Sequence, residues 1–210
     1  MKRPRFGWRV VAGTAVMAVA TAALAASPAL AAGPGFQTIT AGSSIAGWTV
    51  TSGSVDWIST YWQEPAGVTN SFDLNGTPSA AQPNPAGTIS QTLGGLEASE
   101  FYAVTFEMAG NPMCGPSTKG LTVDGGDPGT MLVTGITSTH LTFSTSSTTT
   151  SNMGWTKVGP LDFLPRSGAP DLPAQYTLTF TADPGNTSNC GPAIANVVVT
   201  PTNTFLAQWG

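Results

Sequence analysis

Apolar and polar residues alternate with a period of two along two segments of the chain. Residues 100–108, EFYAVTFEM, place four apolar side chains on one face: Tyr102, Val104, Phe106 and Met108. Residues 175–181, QYTLTFT, repeat the pattern with Tyr176, Leu178 and Phe180. Successive side chains of a strand point to opposite faces of a sheet, so both segments are predicted to be strands with one buried face.

Eight shorter segments have the same character, and turn-forming residues separate them. They span residues 47–50, 54–59, 71–75, 87–93, 119–123, 140–144, 159–164 and 193–199. Gly, Pro, Asp and Asn are concentrated between them, as in DGGDPG at 124–129 and DPGN at 183–186, and no segment shows a sustained helical period. About ten short strands, each with an apolar face, predict an all-β chain folded as a two-sheet antiparallel β-sandwich.

The N-terminal segment, residues 1–31, has a different pattern. Four basic residues lie within its first nine positions, an Ala/Val-rich stretch follows, and Ala29-Leu30-Ala31 has the small-x-small form of a signal-peptidase site. A membrane anchor is the alternative, but the apolar stretch is short for a bilayer and the cleavage site follows it at once. We therefore expect a signal peptide at 1–31, a single domain at 32–210, and secretion to the extracellular space or the cell wall.

Charge narrows the choice of partner. Four of the seven basic residues lie in the signal segment and all eleven acidic residues follow it, which leaves the mature domain with three basic residues and a net charge of −8. Nucleic-acid binding depends on many Lys and Arg contacts to phosphates, so a nucleic acid is not expected as a partner. No second apolar segment is long enough to span a bilayer, so no membrane association is expected after signal cleavage.

The chain has two cysteines, Cys114 in MCGPS and Cys190 in NCGPA. Disulfides persist in exported proteins, so we expect these two residues to be bonded. Closing so large a loop would stabilise the domain by roughly 4 kcal/mol in the chain-entropy model.

Catalytic machinery is not evident in the sequence. His140 is the single histidine, and the alternation of HLTFS places it on the polar face of a strand, as expected for a surface residue. No GxSxG motif and no metal-ligand spacing of His and Cys is present. Acidic residues are available for glycoside hydrolysis, among them Asp56, Asp73, Glu97, Glu100 and Glu107, but they form no diagnostic pattern. We do not expect an enzyme or a cofactor.

Aromatic residues between 48 and 62 are more informative. Trp48 and Trp57 alternate in phase with valines, which predicts that both are buried. Tyr61 and Trp62 follow a strand beside a Pro/Gly turn, and one of them is expected to be exposed, while the pattern around Trp155 leaves its exposure open. Because flat rings stack on the apolar faces of sugars, Tyr61, Trp62 and Trp155 are candidate ligand-binding residues for an extracellular polysaccharide.

Several longer segments carry a resemblance to a known family. They are GFQTITAGSSIAGWTVTSGSVDWISTYW at 35–62, SFDLNG at 71–76, GTISQTL at 87–93, YAVTFEMAGNP at 102–112, MGWTKVGPLDF at 153–163 and CGPAIANVVV at 190–199. With these segments the chain resembles the bacterial choice-of-anchor C family, which is related to the plant cell-wall proteins of the domain of unknown function 642. The resemblance implies a jelly-roll sandwich of the galactose-binding-like type, found in secreted or wall-associated proteins without established enzymatic activity.

The resemblance also bears on calcium. Related jelly rolls carry a Glu after the Phe of the first strand and an Asp before the Asn of the last strand, and these acids suit a structural calcium ion. Here Gln37 and Ala195 occupy those positions, so calcium is disfavoured although Asn196 remains a weak candidate ligand. The expected function is a secreted, non-catalytic carbohydrate-binding or wall-associated module. A structural or protein-interaction domain without a sugar ligand is the alternative, and a glycoside-active enzyme is the third possibility.

Overall fold

A computed structural model describes residues 35–79, 85–97, 100–126, 138–165 and 174–202. The predicted signal peptide, residues 1–31, lies outside the described residues. Regular structure in the described ranges consists of β-strands, and none of these residues forms a helix. The described part of the chain also contains no helix with the length and apolarity needed to cross a membrane.

Twelve strands occur in the described residues. They are β1 (Phe36–Thr40), β2 (Ser44–Ile45), β3 (Trp48–Ser52), β4 (Ser54–Ile58), β5 (Ser71–Asp73), β6 (Thr88–Leu96), β7 (Phe101–Gly110), β8 (Thr118–Gly126), β9 (Thr139–Ser144), β10 (Thr156–Phe163), β11 (Ala174–Ala182) and β12 (Pro192–Thr202). The ten strands predicted from alternation correspond to β3–β12. The sequence analysis missed β1, which has a single buried apolar residue, Ile39, and β2, which has two residues.

The strands form two antiparallel sheets of six strands each, as the sequence predicted. The first sheet has the order β1-β4-β5-β12-β7-β10, and the second has the order β2-β3-β6-β11-β8-β9. Consecutive strands alternate between the sheets along β6–β8 and again along β10–β12, as expected for a jelly-roll sandwich. The C-terminal strand β12 therefore lies in the middle of the first sheet, between β5 and β7.

The main core fills the space between the sheets. The predicted alternation of β7 and β11 is confirmed, because Val104, Phe106, Leu178 and Phe180 are at most 1% exposed and belong to this core. Trp48 is buried there as well, with its ring centroid 5.6 Å from that of Phe180. Each such side chain contributes about 1.5–3 kcal/mol through burial, which makes the sandwich a rigid scaffold for its outer surfaces.

A smaller apolar cluster, the outer core, covers part of the opposite face of the first sheet. Its buried members are Ile58, Trp62, Ala109, Met153 and Ala193. Trp62 and Met153 lie outside the strands, so the loops that carry them fold back onto the sheet instead of extending into solvent. The remainder of this face, next to the outer core, holds the candidate site.

Candidate functional site

A cavity of about 200 Å³ opens on the outer face of the first sheet, beside the outer core. The strands β1, β4 and β5 supply its floor through outward-facing residues that include Asp56 and Asp73. Two connections form its wall: the one between β7 and β8, with Asn111 and Met113, and the one between β11 and β12, with Asn189. The volume is below the roughly 300–1,000 Å³ of pockets that enclose drug-sized ligands, so the cavity can enclose one small polar unit.

Two acidic residues lie side by side on the floor. Asp56 and Asp73 are directly opposite each other in the antiparallel pair β4–β5. Their residues are 5% and 1% exposed, yet both line the cavity. Directly opposed side chains of antiparallel strands have Cβ atoms about 4.5–5.5 Å apart, so the two carboxyl groups share one environment.

Asp73 is held by three hydrogen bonds from separate parts of the chain. Its Oδ1 accepts from the backbone N–H groups of Asn75 at 3.0 Å and of Gly191 at 2.9 Å, and its Oδ2 accepts from Nδ2 of Asn111 at 2.8 Å. Burial raises the pKa of Asp73 to about 7, and the neighbouring charge of Asp56 acts in the same direction. The three donors oppose this rise because they stabilise the ionised form.

Asp56 is held in a similar way by threonines. Its Oδ1 accepts from Oγ1 of Thr38 at 2.5 Å and from the backbone N–H of Thr77 at 3.2 Å, and its Oδ2 accepts from Oγ1 of Thr77 at 3.0 Å. Burial raises the pKa of Asp56 above its usual value, and these three hydrogen bonds oppose the rise. Both acids are therefore fixed in position before any ligand arrives.

The rim of the cavity is apolar. Tyr61 is 37% exposed and Met113 is 60% exposed, and both line the cavity together with Phe36. The rings of Phe36 and Tyr61 meet edge to face, with centroids 5.4 Å apart. The aromatic surface at the rim is therefore supported from below, and it stands beside the acidic floor.

A disulfide closes the wall. Cys114 and Cys190 are bonded, with Cα atoms 5.7 Å apart, which confirms the pairing predicted from the sequence. The bond joins the β7–β8 connection to the β11–β12 connection, and both cysteines line the cavity. A disulfide is typical of an extracellular environment.

Beneath the disulfide lies Lys119, a fully buried residue of β8. Its Nζ donates to the backbone carbonyl oxygens of Cys114 at 2.7 Å and of Cys190 at 2.6 Å. Burial lowers the pKa of Lys119, and the negative charge of Asp73 opposes that effect. The ammonium group therefore connects the two halves of the wall independently of the sulfur–sulfur bond.

The three predicted ligand-binding residues have different surroundings. Tyr61 is exposed at the rim, but Trp62 is only 5% exposed and lies in the outer core, where its Nε1 donates to Oγ of Ser71 at 2.9 Å. An external sugar cannot stack on a buried ring, so Tyr61 is the exposed one of these two residues and Trp62 is not accessible to a ligand. Trp155 is half-buried against the outer core, and its Nε1 donates to the carbonyl oxygen of Gln63 at 2.8 Å.

Another titratable group, Glu64, lies near Trp62. The Oγ of Ser71 donates to Oε1 of Glu64 at 2.9 Å, and the other oxygen of Glu64 is buried without a partner. Burial raises the pKa of Glu64 to about 7. The local sequence does not distinguish Glu64, because a Glu before a Pro/Gly turn is normally a solvated loop residue.

The residues considered for calcium lie away from the cavity. Gln37 is exposed on β1, and Ala195 is buried opposite Glu107 on β7. Asn196 is exposed and has a φ of 50°, at the irregularity between Ala195 and Val198 where the register of β12 shifts. Within the described ranges, no group of three or more His, Cys, Asp or Glu residues is placed to hold a metal ion.

His140 behaves as the sequence predicted. It is exposed on the edge strand β9, and its Nε2 lies 3.0 Å from Oδ1 of Asp183, a partly exposed carboxylate. Exposed ion pairs of this kind contribute at most about 1 kcal/mol, and neither residue lines the cavity.

Comparison with known proteins places the chain in a family. A family model described as a protein of unknown function, DUF642, matches residues 26–200. The chain belongs to the DUF642 family. The match covers every strand of this DUF642 domain except the last two residues of β12. No curated protein matches the sequence.

Solved structures resemble the DUF642 sandwich at low identity. An arabinose-bound α-L-arabinofuranosidase shares 15% identity with a TM-score of 0.47, over 74% of this chain and 23% of its own. The enzymatically active domain of tailspike protein 4 of bacteriophage CBA120 shares 14% with a TM-score of 0.39, over 80% and 20%. A CBM4 structure shares 12% with a TM-score of 0.35, over 74% and 79%. The chain thus spans less than a quarter of the first two, and similarity at this level identifies neither a ligand nor a reaction.

Proposed function

We propose that this DUF642 protein is a secreted, non-catalytic carbohydrate-binding module that acts at the cell wall or in the extracellular space. The observation that carries the proposal is the cavity on the first sheet, where fixed hydrogen-bond acceptors form the floor and the exposed ring of Tyr61 forms part of the rim. Sugars present hydroxyl donors at their edges and apolar C–H groups on their faces. A polar floor beside an aromatic ring matches both features.

Preorganisation supports this function. Asp56 and Asp73 each accept three hydrogen bonds within the protein, and the wall is fixed by both the disulfide and Lys119. A ligand that enters such a site does not have to order the side chains that hold it, so a smaller part of the interaction energy is lost as entropy. This smaller entropic cost favours binding of a sugar unit even in a small cavity.

Two features support secretion: the signal-peptide pattern of the N-terminal segment and the disulfide, which oxidising compartments preserve. Within DUF642, the segments quoted from 35–62 and 190–199 support placement in the choice-of-anchor C group. The proposal involves no cofactor and no nucleic acid, because the mature chain is acidic and Gln37 and Ala195 replace the carboxylates that would suit calcium.

Glycoside hydrolysis is the second candidate, and one observation favours it. Asp56 and Asp73 are cross-strand neighbours in one cavity, and retaining glycosidases use two carboxyl groups about 5–5.5 Å apart. Binding remains the better proposal because three of the roughly four acceptor sites of each carboxylate are occupied by the protein itself. Release of reducing ends from soluble glucans that stops in Asp73→Asn would favour the enzyme instead.

The test of binding compares two truncations of exposed apolar side chains. Tyr61→Ala removes the ring at the rim, whereas Val198→Ala shortens a 39% exposed residue that does not line the cavity. In pull-downs on insoluble polysaccharides we expect the parent and Val198→Ala to bind alike, and Tyr61→Ala to lose about 10- to 100-fold in affinity. No binding of the parent to any polysaccharide, on beads or on a glycan array, would favour a structural or protein-interaction domain.

A further inference from the structure

Hydrogen-bond acceptors outnumber donors on the floor of the cavity. An ionised carboxylate has about four acceptor sites, and in both Asp56 and Asp73 the protein fills two on Oδ1 and one on Oδ2. One site on Oδ2 of each residue is left. The amide of Asn111 uses one N–H of its Nδ2 on Asp73 and its Oδ1 on the N–H of Met113 at 3.1 Å, which leaves one N–H in the wall against the two vacant acceptor sites of the floor.

A further acceptor lies directly beside Asp73. Asn75 is fully buried, and its Oδ1 has no hydrogen-bond partner. A β-carbon placed on Gly191 would lie 2.6 Å from Oδ1 of Asp73 and 2.7 Å from Oδ1 of Asn75, so the two oxygens face the same point. Hydrogen-bond acceptors without a full set of donors are therefore present behind the floor as well as on it.

No positive charge of the described residues neutralises the floor from inside the cavity. Lys119 and Lys157 are the two lysines in the described ranges, and neither lines the cavity. The ammonium group of Lys119 donates instead to the two cysteine carbonyls behind the wall. Two adjacent carboxylates in a partly dehydrated cavity favour a ligand that brings its own positive charge.

We infer that the cavity binds a sugar residue bearing a free, protonated amino group, with the ammonium between Asp56 and Asp73 and the ring against Tyr61. The inference rests on the proposed carbohydrate-binding function and specifies its ligand class. An ammonium group offers three donors in a compact volume and matches the two vacant Oδ2 sites. The cavity encloses one small polar unit, and the aromatic rim meets the C–H face of the ring that carries it.

The same geometry disfavours the other common sugar types. A uronic acid would place a third carboxylate next to Asp56 and Asp73, and like charges at this distance repel. An N-acetylated amino sugar lacks the positive charge and adds an acetyl group to a cavity of about 200 Å³. A neutral glucan can donate hydroxyl groups but brings no positive charge into the cavity, where Lys119 acts on Asp73 only from behind the wall.

The experiment uses three hexasaccharides that share a β-1,4-linked backbone and differ at C2: cellohexaose with hydroxyl, the glucosamine hexamer with ammonium, and the N-acetylglucosamine hexamer with acetamide. Binding to the intact mature protein is measured by calorimetry at about pH 6, where the amine is protonated and Asp73, whose pKa is raised to about 7, gives up its proton to the buffer as the ammonium binds. We expect the glucosamine hexamer to bind at least about tenfold more tightly than the other two. Added salt should reduce that preference without changing the affinity for cellohexaose.

Matched variants then identify the source of the preference. Asp56→Asn and Asp73→Asn should each bring the affinities for the three oligosaccharides to within about twofold of one another. Asp162→Asn removes an exposed acid of β10 that does not line the cavity, and it should retain the full preference. Thermal melts show whether each variant is folded. If Asp73→Asn is unfolded, the result with Asp56→Asn decides.

The outcomes separate the inference from the function on which it rests. Equal binding of all three hexasaccharides would overturn the inference and leave carbohydrate binding intact. An equal loss of preference in Asp162→Asn would also overturn it, because attraction to the net negative charge of the domain would then be the cause. No binding of any hexasaccharide at millimolar concentration would count against the inference, and the polysaccharide pull-down would then show whether the proposed function fails with it.

Discussion

Asp56 and Asp73 occupy opposed positions of β4 and β5, so two carboxyl groups leave the first sheet side by side into one cavity. Most acidic residues on a strand surface are separated by solvent and ionise independently. Here burial acts on both, and the charge of Asp56 hinders the ionisation of Asp73. The pair therefore links the acidity of the surroundings to the stability of the domain.

The first prediction is that the domain loses stability as pH rises from about 4 to 7. The pKa of Asp73 is raised to about 7, so the native state retains a proton that the unfolded chain releases at its ordinary pKa. Stabilisation by this group is complete below the unfolded pKa and is lost by the time the pH passes the folded value, at up to about 1.4 kcal/mol per pH unit. Urea unfolding across this range measures it. Asp73→Asn should reduce the slope, with the remainder supplied by Glu64, whose pKa is also raised to about 7, and Asp162→Asn should leave it unchanged; a parent profile that rises with pH would contradict the prediction.

The second prediction concerns the buried ammonium. Lys119→Met keeps most of the side-chain volume but removes the donor to the carbonyl oxygens of Cys114 and Cys190. The carbonyl oxygen of Cys114 then loses this donor, that of Cys190 keeps only the hydrogen bond from Nδ2 of Asn186 at 2.9 Å, and Asp73 loses a nearby positive charge, so we expect the free energy of unfolding to fall by about 2–4 kcal/mol. Denaturant unfolding of the oxidised protein provides the measurement, with Lys157→Met as an exposed control. A loss below about 0.5 kcal/mol would show that the disulfide alone holds the wall.

The third prediction tests the close approach of Gly191 to the acids. Alanine here would place its Cβ 2.6 Å from both the backbone N of Asn75 and Oδ1 of Asp73, which is closer than non-bonded contact allows. We expect Gly191→Ala to lower stability by about 1–3 kcal/mol and to weaken binding at the cavity. Gly185→Ala is the control, because nothing lies within 4 Å of its added carbon. Equal melting temperatures for the two variants would show that β5 and the β11–β12 connection separate readily.

The fourth prediction separates two adjacent aromatic residues. Trp62→Ala removes a ring that is 5% exposed and bonded to Ser71, so it should cost roughly 3–5 kcal/mol of stability. Tyr61→Ala removes a 37% exposed ring, and its effect should fall on binding, by about 1–3 kcal/mol, with little change in melting temperature. Paired melts and pull-downs provide the data, and the reverse pattern would exchange the roles of the two residues.

The fifth prediction is that chelation of metal ions leaves the domain unchanged. Gln37 and Ala195 occupy the two positions at which related jelly rolls carry acids suited to calcium. Gln37 is exposed and Ala195 lies opposite Glu107, and neither side chain supplies a carboxylate. Adding EDTA should shift the melting temperature by less than about 1 °C, because a ligand that does not bind cannot stabilise. A large decrease that calcium reverses would show that other oxygen atoms, Asn196 among them, form a site.

Much of the fold could be predicted from the sequence because alternation reports burial directly. The buried faces of β7 and β11 follow from residues such as Val104 and Phe180, whose neighbours in the chain are more polar or face outward. The disulfide could be predicted because two cysteines in an exported chain leave one pairing. Strand β1 was missed because Ile39 alone marks its buried side.

The candidate site could not be predicted in the same way. Asp56 and Asp73 lie in separate strands, and the register that opposes them depends on how the first sheet assembles. The burial of Trp62 depends on loops folding back over the sheet to form the outer core, which no local pattern records. Tyr61 is the site residue whose exposure the sequence favoured, because it lies beside a turn, and the structure places it at the rim of the cavity.

The central position of β12 has a consequence for biogenesis. Its neighbours β5 and β7 are not paired with each other, so the first sheet has a gap until the last strand is delivered. Cys190, which closes the cavity wall through its bond to Cys114, and Gly191, whose backbone N–H donates to Asp73, belong to the same segment. The second sheet has the same property, because β11 lies between β6 and β8, so each sheet is joined across its middle only by one of the last two described strands. A chain interrupted before residue 190 would therefore leave the paired edges of β5 and β7 open and would lack the part of the cavity wall that Cys190 and Gly191 supply.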